Sequence, residues 1–473
     1  MARVNPAPQK SRFVLGWRPP RTIEDAPQLV LDGLSHRART ILADAQATGN
    51  YMTYREAINI LGWEANEIYK DGRIALDIED WADLGWLAAH IGPPESALKA
   101  MAEATTAENV GPYSPDLLAE LRDLAAAKLE RARSDDFEVM GTEGAQAGIA
   151  YALQTLVNPG EEVIITDPGY FHFVPALELA GGVPVRVELG QHNGYRLQPD
   201  ELERAITPRT KVVMVCDPVN PYGTVQSEDE LLGIIEVARK AGAFVIDDVT
   251  HHSHRIDPTA QQIPMPALHD KTDTTHVLAT FGLSHGYGMA GARVGFLAGH
   301  PSLIRAALAV KIGLTRLNTN LVAQVGAIAA LKDEAYIARS EDLYRRNLGH
   351  LTATVEQIPG LEIPVLPQYG YSLVIDVSGT GVTAQELTVS MFKRKVAIYP
   401  GDGLGDVRCT DYIRLNFSHP HLWAFERFRE ALPEAIEEAR SGLYRDKIIA
   451  FFERSDTDRG RRIIQRLREP PSP

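Results

Sequence analysis

Cysteine, long apolar runs and excess positive charge are all scarce in this chain of 473 residues. It has two cysteines, Cys216 and Cys409, which excludes a disulfide framework and favours a reducing compartment. No run of 18 apolar residues occurs, so we expect no membrane-spanning helix. The formal net charge of −14 argues against a nucleic-acid-binding surface. Residues 1–28 lack the apolar core of a signal peptide, and a cytoplasmic location is therefore expected.

The chain does have the composition of a globular enzyme, with 44% hydrophobic and 23% charged residues. From about residue 137 onward, short apolar segments such as 211–216 and 243–249 alternate with amphipathic helical ones. This alternation predicts a largely parallel sheet that is covered by helices on both faces. Residues 309–331 predict one long helix, and residues 371–377 and 396–399 predict strands of a smaller domain.

Several polar positions fall where ligands bind in such folds, at the carboxyl ends of strands. Gly144, Ala145 and Gln146 form a turn into an apolar helix, where backbone N–H groups favour a phosphate. Arg293 carries a guanidinium that can bind the same phosphate through two hydrogen bonds. Asp247 ends a strand, and a carboxylate there can keep a pyridine nitrogen protonated. Together these positions predict a phosphate-binding site beside a carboxylate.

Residues 280–295 read TFGLSHGYGMAGARVG, and this segment resembles the cofactor-lysine segment of class I/II aminotransferases, which are fold-type I pyridoxal phosphate (PLP) enzymes. Ser284, the glycines, Arg293 and the Val294-Gly295 pair match that segment, while the lysine position is occupied by His285. Three further elements resemble the same family in the same order: D-P-G-Y at 167–170, D-P-V-N-P-Y-G at 217–223 and Y-I-R-L at 412–415.

The resemblance implies an α/β architecture like that of aspartate aminotransferase, in which a large domain with a mostly parallel central sheet is joined to a smaller α+β domain. We place an N-terminal arm and helical lead-in at residues 1–75 and the large cofactor-binding domain at 76–325. The small domain would follow at 326–440, closed by a helix at 422–440, and a basic tail would occupy 441–473.

The resemblance also implies roles for individual residues. The expected cofactor-binding positions are Gly144, Ala145, Gln146, Tyr170, Asn220, Asp247, Ser284 and Arg293. Within this set, Tyr170 would stack on the cofactor ring and Asn220 would donate a hydrogen bond to its ring oxygen. Tyr113 resembles the tyrosine that reaches the phosphate of the neighbouring subunit in a homodimer. Arg414 would bind the α-carboxylate of an amino-acid substrate.

Three departures from the family pattern fall where transamination would take place. His285 replaces the lysine that forms a Schiff base with the cofactor, which an imidazole cannot form. Gly282 replaces a phosphate-binding serine, and Thr250, three residues after Asp247, replaces a tyrosine that binds the cofactor's phenolic oxygen. We therefore predict that the chain is not a conventional transaminase and that it holds PLP or pyridoxamine phosphate noncovalently.

His285 is the predicted catalytic residue. An imidazole has an ordinary pKa of about 6.5 and is a general acid/base at neutral pH. It would exchange the α-proton of an amino acid in a racemisation, epimerisation, elimination or related reaction. Two alternatives stay open: a cofactor-independent racemase or epimerase in which His285 works with a second base, and a catalytically inactive relative that binds a ligand.

Two clusters outside these motifs carry weaker signals. His251, His252 and His254 follow the strand segment at 243–249. For them we expect structural hydrogen bonding, with a polar pocket wall or a second acid/base as the alternative. We predict no metal site, because a separated third ligand of clear spacing is missing. The arginine-rich tail is expected to present a solvated helical face.

Overall fold

The structure is a computed structural model that describes residues 33–35, 38, 56–57, 60–62, 81–85, 90–170, 172–406, 408–455 and 458–469. Most of the predicted N-terminal arm and helical lead-in, residues 1–75, lies outside the described residues. Among the described residues, no helix is both long and apolar enough to cross a membrane.

The central sheet has seven strands, and it confirms the predicted, largely parallel arrangement. From one edge to the other the strands are Glu138–Thr142, Gly295–Gly299, Val277–Gly282, Phe244–Asp248, Thr210–Cys216, Glu162–Asp167 and Val183–Glu188. Gly295–Gly299 runs antiparallel to both of its neighbours, and the other pairs are parallel. The parallel strands therefore end at a common edge, where ligands bind in folds of this kind.

Helices cover both faces of this sheet, as the alternating pattern predicts. Along the strand Thr210–Cys216, Met214 packs with helix Ala145–Leu156, whereas its neighbour Val213 packs with helix Glu228–Ala241 on the other face. Successive side chains of a strand point to opposite faces, so an uninterrupted apolar run is what a doubly covered strand requires. The α-helices described are Glu95–Ala104, Ala107–Val110, Ala119–Lys128, Ala145–Leu156, Phe173–Ala180, Pro199–Ala205, Glu228–Ala241, Leu283–Gly286, Pro301–Leu314, Leu321–Leu331, Glu334–Glu356, Ala384–Lys393, Leu422–Arg440, Arg445–Ser455 and Asp458–Arg468.

The single helix predicted at 309–331 is wrong, because the chain forms two helices there, Pro301–Leu314 and Leu321–Leu331. Arg316 lies between them in the left-handed region with φ of 69°, which interrupts a right-handed helix. The second helix has its own N-cap, since the side chain of Asn320 accepts a hydrogen bond from the backbone N–H of Ala323. Because most of residues 309–331 are apolar, their composition does not reveal the turn between the two helices.

A second, smaller domain contains a three-stranded antiparallel sheet in the order Tyr399–Pro400, Tyr412–Asn416, Ser372–Asp376. Its core includes residues of helix Leu422–Arg440. Ala82–Asp83, which the sequence assigned to the large domain, instead pairs in parallel with Val396–Ala397 beside this core. The small domain is thus built from two separated parts of the chain.

The C-terminal tail is not simply a solvated face. Arg459 is 5% exposed, and its guanidinium forms ion pairs with Glu56 at 2.7 Å and Asp402 at 2.9 Å. Arg462 and Arg466 on the same helix face pair with Asp406 at 2.5 Å and Asp411 at 3.0 Å, respectively. Spacing of three and four residues places such side chains on one side of a helix. The tail is therefore docked on the loop that follows strand Tyr399–Pro400, whereas Arg461 and Arg468 are exposed as predicted.

Candidate active site

A cavity of about 200 Å³ lies at the common edge where the parallel strands end. Cys216, Asp248 and Gly282 line it, and each is the last residue of its strand. Seven of the residues that the sequence singled out also line it: Ala145, Gln146, Tyr170, Asn220, Ser284, His285 and Arg293. The remaining lining residues are Ile149, Thr250, His251 and Ala290. The structure thus brings most of the predicted site together.

One side of the cavity is suited to an anion. Helix Ala145–Leu156 begins here after Gly144, whose φ is 90°. A Cβ on Gly144 would lie 2.6 Å from Nη2 of Arg293, so only glycine allows this approach without displacement. Arg293 in turn donates from Nη2 to the carbonyl of Glu143 at 2.7 Å and from Nη1 to that of Ala290 at 3.1 Å. A helix N-terminus beside a fixed guanidinium favours phosphate binding.

Gly282 and Ser284 complete this side of the cavity. Gly282 is the last residue of strand Val277–Gly282, and a Cβ there would lie 3.1 Å from the backbone nitrogen of Ala145. The residue that stands where the resemblance implies a serine thus lies against the start of helix Ala145–Leu156. A glycine at position 282 keeps the backbone N–H of Ala145 accessible, but it lacks the hydroxyl that a serine would contribute.

The carboxylate of the cavity belongs to Asp248, and not to Asp247 as the sequence suggested. Adjacent strand residues face opposite sides, so only one of the pair can face the cavity. Asp247 points away from it, and its Oδ2 accepts the backbone N–H of Met265 at 2.8 Å. Asp248 Oδ1 accepts hydrogen bonds from the backbone N–H and the hydroxyl of Thr250, at 3.1 and 2.5 Å. Burial raises the pKa of Asp248 to about 6, although these hydrogen bonds oppose the rise.

This one-residue shift also changes which residue stands in the tyrosine position. The residue three positions after Asp248 is His251, and it lines the cavity together with Thr250. The departure from the family pattern therefore lies at His251 as well as at His285. Two histidines, and not one, occupy positions where the resemblance implies a lysine and a tyrosine.

Asn220 and Tyr170 lie where the sequence placed them, in the cavity wall. Asn220 is buried, and its Oδ1 has no hydrogen-bond partner among the described residues. Asp217, the first residue of the D-P-V-N-P-Y-G segment, serves the loop itself: its Oδ1 accepts the backbone N–H of Gln226 at 2.9 Å. Its side chain is fully buried, and burial raises its pKa to about 7. The loop is thus held by Asp217 while Asn220 faces the cavity.

His285 lies in the short helix Leu283–Gly286 that follows strand Val277–Gly282. Its Nδ1 is 2.7 Å from the hydroxyl of Tyr371, which directly precedes a strand of the small domain. The ring of His251 packs against it, with 4.9 Å between ring centroids. Burial lowers the pKa of His251 well below its usual value, and the charges of His285 and Arg414 lower it further. His251 is therefore neutral at neutral pH.

His252 and His254 do not line the cavity. The Nδ1 of His252 is 2.6 Å from the carbonyl oxygen of Val249, and His254 packs against the ring of Tyr344 at 4.9 Å between centroids. Within the described part of the chain, no group of three or more histidine, cysteine, aspartate or glutamate side chains could hold a metal ion. The cluster thus divides into one cavity residue, His251, and two packing residues, of which His254 is buried and His252 is half-buried.

Four predicted residues lie outside the cavity lining: Gly144 and Asp247, described above, and Tyr113 and Arg414. Tyr113 is 76% exposed, and the guanidinium of Arg316 lies 5.0 Å from the centre of its ring. Arg414 is 1% exposed within strand Tyr412–Asn416, where its Nη2 donates to the carbonyl of Gly85 at 3.4 Å. Its guanidinium stacks on the ring of Tyr399 at 4.4 Å, and its charge is among the causes of the low pKa of His251. Arg414 is therefore a buried cation close behind the cavity wall.

Sequence reasoning assigned no role to Asp248 or Tyr371, and it placed His251 in a polar pocket wall only as the alternative to structural hydrogen bonding. A signal existed for Asp248 and His251, because either residue of the Asp247-Asp248 pair could end the strand facing the ligand. No sequence signal existed for Tyr371, which lies 86 positions from His285 and belongs to no motif.

The architecture and the site agree with the results of sequence and structure comparison. The profile of the family described as aminotransferase class I and II matches residues 84–424. The aspartate aminotransferase of Geobacillus stearothermophilus is 30% identical over 335 residues, which cover 68% of this chain and 82% of that enzyme. The solved N-succinyldiaminopimelate aminotransferase from Mycobacterium tuberculosis matches with a TM-score of 0.70 and 25% identity, covering 86% of this chain and 100% of that one. A Thermus thermophilus aspartate aminotransferase double mutant matches in fold, with a TM-score of 0.71, 21% identity and coverage of 86% and 99%. Because the family profile spans most of the chain, this protein belongs to the aminotransferase class I and II family.

Proposed function

We propose that this protein acts at the α-carbon of an amino acid without a Schiff-base lysine, and that His285 is its general acid/base. The observation that carries the proposal is the setting of His285. It lies in the wall of a cavity that keeps an anion-binding helix start and a carboxylate, and its Nδ1 is held by Tyr371 at 2.7 Å. A hydrogen bond to one ring nitrogen orients the imidazole, as proton transfer requires.

The cavity residues fit PLP or pyridoxamine phosphate. The open helix start at Gly144, together with Arg293, suits the phosphate. The buried amide of Asn220 has an oxygen without a partner among the described residues, so its side chain is available to a ring substituent. Asp248 offers a buried carboxylate to the pyridine nitrogen, and with a pKa of about 6 it is mostly ionised at neutral pH. When bound, the pyridine ring supplies the electron sink for the charge that loss of an α-proton leaves on carbon.

His285 would take the α-proton. Return of a proton from solvent to the opposite face of the α-carbon would give racemisation or epimerisation, and departure of a leaving group from the β-carbon would give elimination. His285 cannot form the covalent tether that lysine provides in the family, so the cavity residues would hold the cofactor noncovalently. Conventional transamination is therefore not the proposed reaction.

Arg414 is proposed to bind the α-carboxylate of the amino acid. A buried guanidinium is costly unless anions or carbonyls compensate it, and here it lies close enough to His251 to lower the pKa of that residue. A carboxylate bound on this side would place the amino acid between Arg414 and the cavity, next to the histidines.

The cofactor-independent alternative is less well supported. A two-base racemase needs its bases on opposite sides of the α-carbon. The rings of His285 and His251 are in contact at 4.9 Å between centroids, so they lie side by side and leave no room for a carbon between them. The inactive alternative is disfavoured because the phosphate-binding turn, the carboxylate and the buried arginine are all present.

The proposal is tested by exchange of the α-proton of amino acids in heavy water, followed by NMR with added PLP. We expect wild-type exchange with PLP and a loss of about 100-fold or more in His285→Ala, the usual contribution of a positioned general base. PLP titration followed by absorbance should give a similar affinity for both proteins. Equal exchange in the variant would remove His285 from the mechanism, and the absence of any PLP-dependent spectral change would exclude the cofactor.

A homodimer is part of the proposal, since Tyr113 resembles a residue that completes the neighbour's phosphate site. Its ring is 76% exposed and could reach a second subunit. Sedimentation analysis should show a dimer. Tyr113→Ala should weaken PLP binding while the dimer persists, and a monomeric wild-type protein would contradict this part.

A further inference from the structure

We infer that Tyr371 is a positioning residue for the acid/base His285: its hydroxyl accepts the Nδ1–H of the imidazole and keeps Nε2 as the nitrogen that exchanges a proton with the substrate. The basis is the 2.7 Å contact between His285 Nδ1 and the Tyr371 hydroxyl. The inference rests on the proposed function for its catalytic part, although the hydrogen bond itself can be tested without turnover.

Tyr371 is fixed well enough to position another group. It is 1% exposed, and its backbone carbonyl accepts the N–H of Phe417 at 2.8 Å. Its ring packs against Tyr344, with 5.5 Å between centroids, and against His251 and His254 at 5.9 and 6.4 Å. Aromatic rings at these distances are in contact, so the hydroxyl has little freedom to move.

The direction of the hydrogen bond follows from the chemistry that His285 would perform. A general base alternates between a neutral and a protonated ring. If Nδ1–H donates to Tyr371, the same bond persists when Nε2 takes up a proton, because both ring nitrogens of the cation are donors. If the hydroxyl donated to Nδ1 instead, protonation would break the bond at each turnover. Burial raises the pKa of Tyr371 well above its usual value, so the phenol remains protonated and does not compete as a base.

The hydrogen bond also joins two domains. His285 follows a strand of the central sheet, whereas Tyr371 leads into strand Ser372–Asp376 of the small domain. The orientation of the acid/base group therefore depends on how the small domain sits on the large one. A displacement of about 1 Å is enough to reduce a rate by about 100-fold when reacting groups are prealigned.

Tyr371→Phe tests the inference, because it removes the hydroxyl and keeps the ring. The full-length protein labelled with ¹⁵N-histidine is examined by NMR at neutral pH, and the His285 signals are identified by their absence in His285→Gln. We expect wild-type His285 to carry its proton on Nδ1, and Tyr371→Phe to shift the population toward the Nε2–H form. With PLP and amino acid, kcat for α-proton exchange should fall by about 10- to 100-fold, as for loss of other orienting partners, with KM nearly unchanged.

Tyr344→Phe is the matched control. Tyr344 is equally buried and packs against the rings of Tyr371 and His254, but its hydroxyl has no hydrogen-bond partner among the described residues. This variant should leave the tautomer and kcat unchanged. A wild-type His285 with its proton on Nε2 would overturn the inference, as would Tyr371→Phe behaving like Tyr344→Phe. The wild-type spectrum decides the direction of the bond even if a variant fails to fold.

The two proposals fail in different ways. Should His285→Ala retain exchange, the proposed function is wrong, while the NMR result still reports whether Tyr371 orients the ring. Should His285 prove catalytic but Tyr371→Phe keep the wild-type tautomer and rate, only the positioning role is lost.

Discussion

Two parts of the candidate site differ in how closely they follow the family. We call Gly144, Ala145, Gln146, Asn220, Asp248 and Arg293 the cofactor cradle, and His251, His252, His254, His285 and Tyr371 the histidine corner. The cradle has the residue types that the resemblance implies for holding a phosphate and a pyridine ring. In the corner, histidines occupy the lysine and tyrosine positions. Under the proposed function, different residues of this chain hold the cofactor and move the proton, whereas the resemblance implies one lysine that contributes to both.

The largest expected effect comes from placing a lysine in the histidine corner, which tests whether residue 285 decides covalent binding of the cofactor. His285→Lys places a primary amine in the cavity wall, and an amine, unlike an imidazole, condenses with an aldehyde. After incubation with PLP and borohydride, intact mass spectrometry should show one covalent adduct per variant chain and none per wild-type chain. His285→Arg, which adds charge and length without a condensing amine, should remain unmodified. A stoichiometric adduct on the wild-type protein would show that another lysine serves as the tether.

The next largest effect concerns the cradle and separates two adjacent carboxylates. Asp248→Asn removes the charge that faces the cavity, and α-proton exchange should fall by about 100-fold or more, the scale of losing one preorganised polar partner. Asp247→Asn alters a side chain that faces Met265 on the other side of the strand, so exchange should change by less than about threefold. Rates measured in heavy water for both variants decide the assignment. If Asp247→Asn lowered the exchange rate more than Asp248→Asn, then Asp247 would be the carboxylate that serves the cavity.

This pair of aspartates also shows how far the sequence can predict the site. The apolar run that ends at these residues predicts a strand, and the fold predicts that its end faces the ligand. Which of the two neighbours faces it depends on register, and a shift of one residue reverses every side chain of a strand. The same shift applies to the residue three positions further on: counting from Asp247 gives Thr250, whereas counting from Asp248 gives His251, and both line the cavity.

Long-range partners are the other part that sequence alone could not supply. Arg459 belongs to a charged run that is typical of a solvated helix, yet it is buried because Glu56 and Asp402 meet it from distant parts of the chain. The contact between His285 and Tyr371 is likewise visible only once two domains are assembled. Local patterns predicted the strands and the turns at their ends because those depend on neighbouring residues, whereas these pairs depend on tertiary packing.

A smaller effect is expected from the backbone of the cradle. Gly144→Ala forces a residue with a Cβ to adopt φ of 90° and brings that Cβ within 2.6 Å of Arg293 Nη2. Strain of about 1–3 kcal/mol would disfavour the phosphate-binding conformation, so PLP affinity should fall by about tenfold or more. Gly291→Ala is the control on the neighbouring loop, because a Cβ there meets nothing within 4 Å. Titration of PLP by fluorescence should separate the two, and equal affinities would show that Arg293 simply moves aside.

The buried aspartates Asp217 and Asp248 and the histidines of the histidine corner also have opposite effects on stability as pH changes. Burial lowers the pKa of His252 to about 4 and of His254 to about 3. The unfolded chain therefore binds protons that the folded chain does not, and stability is lost as pH falls below about 6.5. Burial raises the pKa of Asp248 to about 6 and of Asp217 to about 7. For these groups the folded chain binds the extra protons, so stability is lost as pH rises from about 4 toward those values.

His254→Phe isolates one of these opposing contributions and gives the smallest predicted effect. The ring of His254 is 2% exposed, and its Nε2 has no hydrogen-bond partner among the described residues, so a phenyl ring leaves no new polar atom unsatisfied. Between about pH 4 and 6, the free energy of unfolding should rise less steeply with pH, by about 1.4 kcal/mol per pH unit relative to wild type. Urea unfolding at several pH values measures this slope. His350→Phe, at an exposed position on helix Glu334–Glu356, should leave it unchanged. If His254→Phe keeps the wild-type slope, then His254 is not a neutral, buried member of the histidine corner.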